Sequence, residues 1–346
     1  MIFAILFWGT MFTVLAIRFF KFLSNRKFKK YISLDNIPTE FENIYKTLYN
    51  KHISSLEIMR KKIINMIIYV FIFCIISCIV FMFLAINLIL YAKNSPTTVL
   101  TIFLVIIVLF YLFFESKIKN YKNKYLNLYK EQIIPEFIKL VNNKLEYSAS
   151  DISLYTIEHD YLRANFDKES YRLFKADDYI SGFLDDETFV EMCDLTIQSH
   201  NENECRHDIF RGMFVQAKYN KNIGAYMKVS LNKLKSFNSK DKVEMDSSEF
   251  EEYFDIYSDN KIVAMQILTS DIMQFLTDFY IKYKINYEIV FRNDTLYMRF
   301  FTGSMFEPTL LKNAMDKELL YMYYFIMNFI MDILKKVNKT LQDTEI

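Results

Sequence analysis

Two apolar runs, Ile63 to Tyr91 and Val99 to Phe114, constrain this chain more than any other feature; the short polar turn Ala92-Lys93-Asn94-Ser95-Pro96-Thr97 separates them. Neither run contains a side chain charged at neutral pH. The hydrocarbon core of a bilayer is about 30 Å thick and takes roughly 20 apolar helical residues to cross, a length the first run exceeds and the second approaches. Backbone polar groups in lipid must bond within their own segment, so each run is predicted to be a helix and the pair a transmembrane hairpin.

Charge at the two feet gives the hairpin a direction. Arg60, Lys61 and Lys62 precede it and Lys117, Lys119, Lys122 and Lys124 follow it, whereas the turn carries only Lys93. The positive-inside bias therefore predicts a plasma-membrane protein, multi-pass, with the tip outside and everything after Phe114 in the cytoplasm. Met1 to Leu23 is also apolar and becomes basic only at Arg18, Lys21, Arg26, Lys27, Lys29 and Lys30. That order is the reverse of a signal peptide and predicts an N-terminal membrane helix, with an interfacial segment as the alternative.

The chain has 346 residues, 52% hydrophobic, which leaves room for a soluble domain beside the membrane part. Lys+Arg of 42 against Asp+Glu of 41 gives no reason to expect nucleic acid as a partner. Only 5 Gly and 4 Pro predict long helices, and neither G-x-G-x-x-G nor G-x-x-x-x-G-K-[ST] occurs. Cys74 and Cys78 lie within the first apolar run, and Cys193 and Cys205 form no C-x-x-C pair, so a reducing compartment is expected.

Read in order, Thr39-Glu40-Phe41-Glu42 after Pro38 fits a capping box. Phe41, Tyr45, Leu48, His52, Leu56 and Met59 then form one stripe of an amphipathic helix, with Ile118, Tyr121, Tyr125 and Leu128 as its expected partner in a stalk. His52 reads as a packed position. Pro135 predicts a kink, after which Phe137 to Leu145 resumes the helical pattern. Tyr147 to Asp186 reads as short helix and loop, and strands are expected from Thr188 onward. These include Ile209–Ala217 with Gly212 at a bulge or close contact, Tyr226–Leu231, Phe254–Asp259, and a hairpin of Tyr287–Phe291 with Thr295–Phe301. Helices are expected at Glu249–Phe254, at Asp271–Tyr280 capped from Thr269 or Ser270, and from Leu310 to Leu341. Within the last, Leu319 to Leu334 is apolar nearly all round; it is short for a span and contains Asp332, which favours burial against the sheet over a further crossing.

The predicted organisation is thus an N-terminal membrane helix (1–23), a basic linker with an amphipathic helix (24–62), a transmembrane hairpin (63–115), a stalk helix (116–145) and a cytoplasmic domain (146–346). Its fold class is membrane-anchored α+β, the C-terminal domain carrying a mainly antiparallel sheet with packing helices.

The hairpin together with Ile134-Pro135-Glu136-Phe137, Leu145-Glu146-Tyr147-Ser148, Phe210-Arg211-Gly212-Met213-Phe214, Glu249-Phe250-Glu251, Phe254, Tyr257-Ser258-Asp259, Ala264, Ile267-Leu268-Thr269 and Phe306-Glu307-Pro308 resembles an uncharacterised bacterial family, a domain of unknown function. The resemblance implies two membrane helices followed by a cytoplasmic domain, covers about Phe41 to Val337, and carries no catalytic residues across.

Chemistry-bearing residues are few. Cys193, His200, Cys205 and His207 have zinc-ligand types at an unusual spacing, and ordinary packing is the preferred reading. Asp177-Asp178 and Asp185-Asp186-Glu187 bring carboxylates together as metal-assisted hydrolysis needs, but a solvated loop does so too and is preferred. Tyr257-Ser258-Asp259 lacks a nucleophile elbow and reads as a turn in which Asp259 caps the next segment. Arg211 within an apolar strand must reach an edge, an ion-pair partner or an anion, which makes it the candidate contact for a ligand or partner. The apolar runs lack the charges that mark ion paths. The expected function is a membrane-tethered interaction or scaffolding domain, in contact with the lipid bilayer and a protein partner, without cofactor or assigned metal. The alternatives are a membrane-bound enzyme or metal-binding protein using the Cys/His group or the acidic loop, and an accessory subunit of a transport complex.

Overall fold

A computed structural model describes residues 37–91, 96–149, 153–166, 171–184, 188–199, 207–232 and 241–343. The expected helix at Met1–Leu23, residues 92–95 of the turn, Asp185-Asp186-Glu187, His200 and Cys205 lie outside them. The chain forms two compact units: one takes Tyr49–Tyr129 and Pro308–Asp316, the other the described residues up to Leu48, Lys130–Glu307 and Lys317 onward.

The first unit is built on α1 (Thr39–Tyr91), whose first turns belong to the second unit, and α2 (Pro96–Leu128). The two helices lie side by side, with Phe73 and Phe110 ring centroids 3.7 Å apart and the Lys62 ammonium 4.5 Å from the Tyr121 ring. At their base Glu57 accepts from both the Arg60 guanidinium and the Ala314 amide, while Arg60 also donates to the Leu310 carbonyl at 2.8 Å. Pairing with Arg60 holds the Glu57 carboxyl below its ordinary range. Arg60 is thus both a foot charge and a clamp on Pro308–Asp316, a segment predicted as helical from Leu310 but irregular here; the Thr309 hydroxyl and Asn313 side chain accept amides two residues on. Such local side-chain bonds compete with helix formation. Among the described residues, no helix is long and apolar enough to cross a membrane.

In the second unit, α1 begins one residue earlier than the capping box requires. Thr39 is already helical, the Pro38 carbonyl accepts from the Glu42 amide, and the Glu42 carboxylate pairs with Lys317. Phe41 packs on Tyr321 and Tyr324, at centroid distances of 4.9 and 5.3 Å, so the start of the stripe finds the C-terminal helix as its partner in place of the expected stalk. The kink predicted at Pro135 is a π-helical turn, Tyr129–Ile133, leading into α3 (Ile134–Val141) with the proline in its first turn. Leu145, expected to end that helix, instead opens β1 (Leu145–Ser148).

In the segment predicted as short helix and loop, a helix does form, but a long strand follows where loop was expected. After β1 come α4 (Leu154–Ala164) and β2 (Tyr171–Phe183), followed by β3 (Phe189–Ser199), β4 (Asp208–Lys218), β5 (Tyr226–Leu231) and β6 (Lys242–Val243). Next are α5 (Ser248–Tyr253), β7 (Phe254–Ser258), α6 (Lys261–Ile267), α7 (Ser270–Tyr283), β8 (Tyr287–Arg292), β9 (Thr295–Phe300) and α8 (Lys317–Asp343). The strands pair antiparallel in the order β1-β2-β3-β4-β9-β8-β5-β7-β6. This α+β architecture, a largely antiparallel sheet with helices, is the one predicted for the C-terminal part.

Helices cover both faces of the sheet. On one, Tyr161 and Phe166 of and after α4 join Cys193, Leu195, Phe210, Phe214 and Tyr297 in a buried cluster. On the other, α7 and α8 stack through Phe279 and Phe329, 3.5 Å between centroids, and Phe329 reaches Tyr287 and Phe300 on β8 and β9. The stretch Leu319–Leu334 is accordingly a buried helix of this unit, and Asp332 sits on its exposed strip.

Candidate functional site

The residues that stand out chemically are carboxylates placed where a sheet ordinarily holds apolar side chains. β2 and β3 pair Asp177 with Asp194, and the register then slips until Ile180 meets Met192. Asp178 occupies that bulge with φ of 57°, a left-handed conformation that aspartate tolerates better than most residues. The bulge turns Asp178 inward, where it is fully buried. Its Oδ2 accepts from Lys130 Nζ and its Oδ1 from the Tyr147 hydroxyl, both at 2.5 Å. Lys130, in the π-helical turn, is itself buried.

Asp194 is 4% exposed, and its Oδ2 accepts from the Met305 amide at 2.8 Å. Its Oδ1 is buried with no hydrogen-bond partner. Asp177, half-buried, accepts from the exposed Lys175 at 2.9 Å. One carboxylate oxygen from each of Asp177, Asp178 and Asp194 lies within 4.8 Å of the other two. Burial, then the charge of Asp177, pushes Asp194 up to about 8, with Asp178 and Glu307 adding to the rise. Burial likewise raises Asp178 to about 6, opposed by Lys130 and Tyr147. Carboxylates crowded this closely do one of two things: share a proton or hold a cation.

The proton alternative has a measurable signature in protein kept free of metal by a chelator. An unfolded aspartate titrates near 4, so between about pH 4 and 8 the folded chain holds the extra proton at Asp194 and stability declines as pH rises. Asp178 adds to the decline only up to about pH 6. Asp194→Asn should therefore abolish the fall between pH 6 and 8, on the order of 2 kcal/mol, and below pH 6 leave only the share that Asp178 contributes. Urea unfolding at pH 5, 6, 7 and 8 checks it; an unchanged slope in the variant would show the carboxyl to be ordinary.

A second charged group lies under α4. Lys228, Glu288 and Arg299 are all buried, with Lys228 Nζ 3.1 Å from Glu288 Oε1 and bonded to the Phe166 carbonyl. Arg299 pairs with Glu288, donates to the Tyr161 hydroxyl at 2.7 Å, and lies 4.7 Å from the Phe166 ring. Ser230 Oγ donates to Glu288 Oε1 at 2.8 Å. With its donors and acceptors engaged, this network holds the sheet to α4.

The residues singled out from sequence fall elsewhere. Cys193 is in the apolar cluster, and burial pushes its thiol well above the usual range. His207 flanks the start of β4, its Nδ1 3.1 Å from Ser199 Oγ. Cys193 and Ser199 stand six residues apart on β3, about 20 Å along a strand, too far for Cys193 and His207 to share an ion. Arg211 is half-exposed and donates to Ser304 Oγ at 2.8 and 3.0 Å, which ties β4 to the segment that supplies Met305. Ser258 Oγ donates to backbone carbonyls of Tyr226 and Asn260. The cap of α6 is Asn260, not Asp259, which accepts from the Tyr226 amide. Of the acidic pairs, Asp177-Asp178 does form part of a cluster, but the partner that completes it, Asp194, was missed. An aspartate between Cys193 and Leu195 in a strand of buried residues was the available signal.

Residues 208–339 match the profile of a family described as "Protein of unknown function (DUF3137)". The resemblance to an uncharacterised family therefore holds over the part of the second unit from β4 to α8. No curated protein matches the chain. Among solved structures, "crystal structure of the mycobacterial trehalose monomycolate transport factor A, TtfA" is similar at 10% identity and a TM-score of 0.30, over 59% of this chain and 96% of that one.

Proposed function

We propose that the chain is an integral membrane protein whose α1–α2 hairpin sits in the bilayer and whose α+β unit is an interaction domain held at the inner face. The observation that carries this reading is where apolar surface is exposed. On α1, Ile68, Tyr69, Ile72, Ile76, Ile79 and Phe83 point away from the protein, Phe83 by 67%; on α2, Val105, Ile106, Leu109, Leu112 and Phe113 do the same. Contiguous apolar surface of this extent marks contact with lipid or protein. The sequence carries the α1 run on to Tyr91 without a charge, about 40 Å of helix from Ile63 at 1.5 Å per residue. Basic feet at Arg60–Lys62 and Lys117–Lys124 support the cytoplasmic side for the α+β unit.

Binding rather than catalysis is favoured because Ser258, Cys193 and Arg211 are committed to turn, core and loop contacts. Alkaline carbonate washing of native membranes should leave the intact chain in the pellet; release to the supernatant would contradict insertion. Cross-linking in the same membranes should join the α+β unit reproducibly to one neighbouring protein. Recovery of only uncrosslinked chain would count against an interaction role.

A further inference from the structure

We infer that Asp177, Asp178 and Asp194 form a binding site for a hard divalent cation of the calcium, manganese and magnesium class. This inference stands on the geometry of the cluster and is independent of the membrane reading. Two strands bring one oxygen from each carboxylate within 4.8 Å of the others, in an all-oxygen set that suits hard cations and gives soft ones no ligand. Calcium–oxygen distances of about 2.3–2.6 Å allow oxygens that share one ion to be at most about 5.2 Å apart, a limit within which all three oxygens fall.

The second observation is Asp194 Oδ1, buried and without a hydrogen-bond partner. Buried polar atoms are nearly always satisfied, and one left over inside a group of carboxylates is an open ligand position. Charge balance points the same way. Lys130 is the buried cation at the cluster and is bonded to Asp178; Lys175, facing Asp177, is exposed, and Glu307 adds further negative charge nearby. A divalent ion neutralises what these lysines leave.

The surroundings have the form of an outer shell. Lys130 and Tyr147 orient Asp178, and the Met305 amide orients Asp194, each leaving lone pairs for a metal. Because Met305 lies in the segment that Arg211 ties down through Ser304, an ion here would fasten β2 and β3 to the link between β9 and α8.

The test is isothermal titration of the detergent-solubilised full chain, stripped with chelator, with calcium, manganese and magnesium in turn. Wild type should show saturable one-site binding of at least one of them below millimolar concentration. Asp194→Asn should weaken it about tenfold or more. Asp177→Asn, at the half-exposed position, gives the same loss with less risk to folding. Asp271→Asn, at an exposed carboxylate, should bind as wild type does. Absence of saturable binding by all three ions in wild type, or wild-type affinity in both cluster variants, would overturn the site.

Discussion

Replacing Glu288 by alanine should cost about 3–5 kcal/mol, because it leaves two cations, Lys228 and Arg299, buried under α4 without their shared anion. A domain of this kind has about 5–15 kcal/mol in all, so much of its stability would go. The alternative, that the trio is a marginal surface pair, predicts less than about 1 kcal/mol. Glu288→Gln should fall between, since it keeps a hydrogen-bond acceptor for Ser230 and the cations but no charge. Near-UV circular dichroism during urea unfolding is the measurement. Tyrosines fill the core of the α+β unit, so the near-UV tyrosine signal reports on it. Replacing Lys228, Glu288 and Arg299 together by apolar residues of similar size should be far milder than Glu288→Ala, because no stranded charge remains.

Gly212→Ala should be comparably damaging, for a steric reason. Gly212 has φ of 156°, and a Cβ built on it would stand 1.8 Å from the Phe300 carbonyl oxygen and 2.8 Å from the Thr302 nitrogen. Phe300 ends the strand paired to β4, where Met213 faces it, and Thr302 follows two residues on, so relief requires moving backbone at the end of the ladder. A loss of about 3 kcal/mol or more is expected. Gly224→Ala is the control: φ is 61°, yet nothing lies within 4 Å of the added carbon, and only about 1 kcal/mol is expected. Equal effects at the two positions would assign the Gly212 loss to backbone conformation alone.

What the sequence made legible were segments whose period matched their environment. β5, β8 and β9 were placed almost residue for residue because their apolar residues follow the element; α7 was found but runs three residues past the expected Tyr280, and of its two expected caps, Thr269 and Ser270, the cap is Thr269. The contact at Gly212 was readable because a glycine inside an apolar strand has few other reasons to be there. β2 was missed because a thirteen-residue strand with a bulge at Asp177-Asp178, and few fully buried positions, has no clean alternation of two. The same cause hid the carboxylate cluster: two aspartates side by side look like solvated loop until their register to Asp194 and their burial are known. Buried Lys228, Glu288 and Arg299 were illegible for a related reason, since polarity in sequence reads as exposure and pairing partners on different strands leave no local mark. Asp259 was assigned a cap that belongs to Asn260, a one-residue error in a turn where both side chains accept backbone amides.

The proposed placement of the α1–α2 hairpin in the bilayer is the central functional claim, and site-directed labelling tests it most directly. In a chain whose cysteines are replaced, Asn94→Cys at the tip should react with a membrane-impermeant maleimide in intact cells, while Lys218→Cys in the α+β unit should react only after lysis. Labelling of Lys218→Cys in intact cells, or protection of Asn94→Cys until lysis, would contradict it.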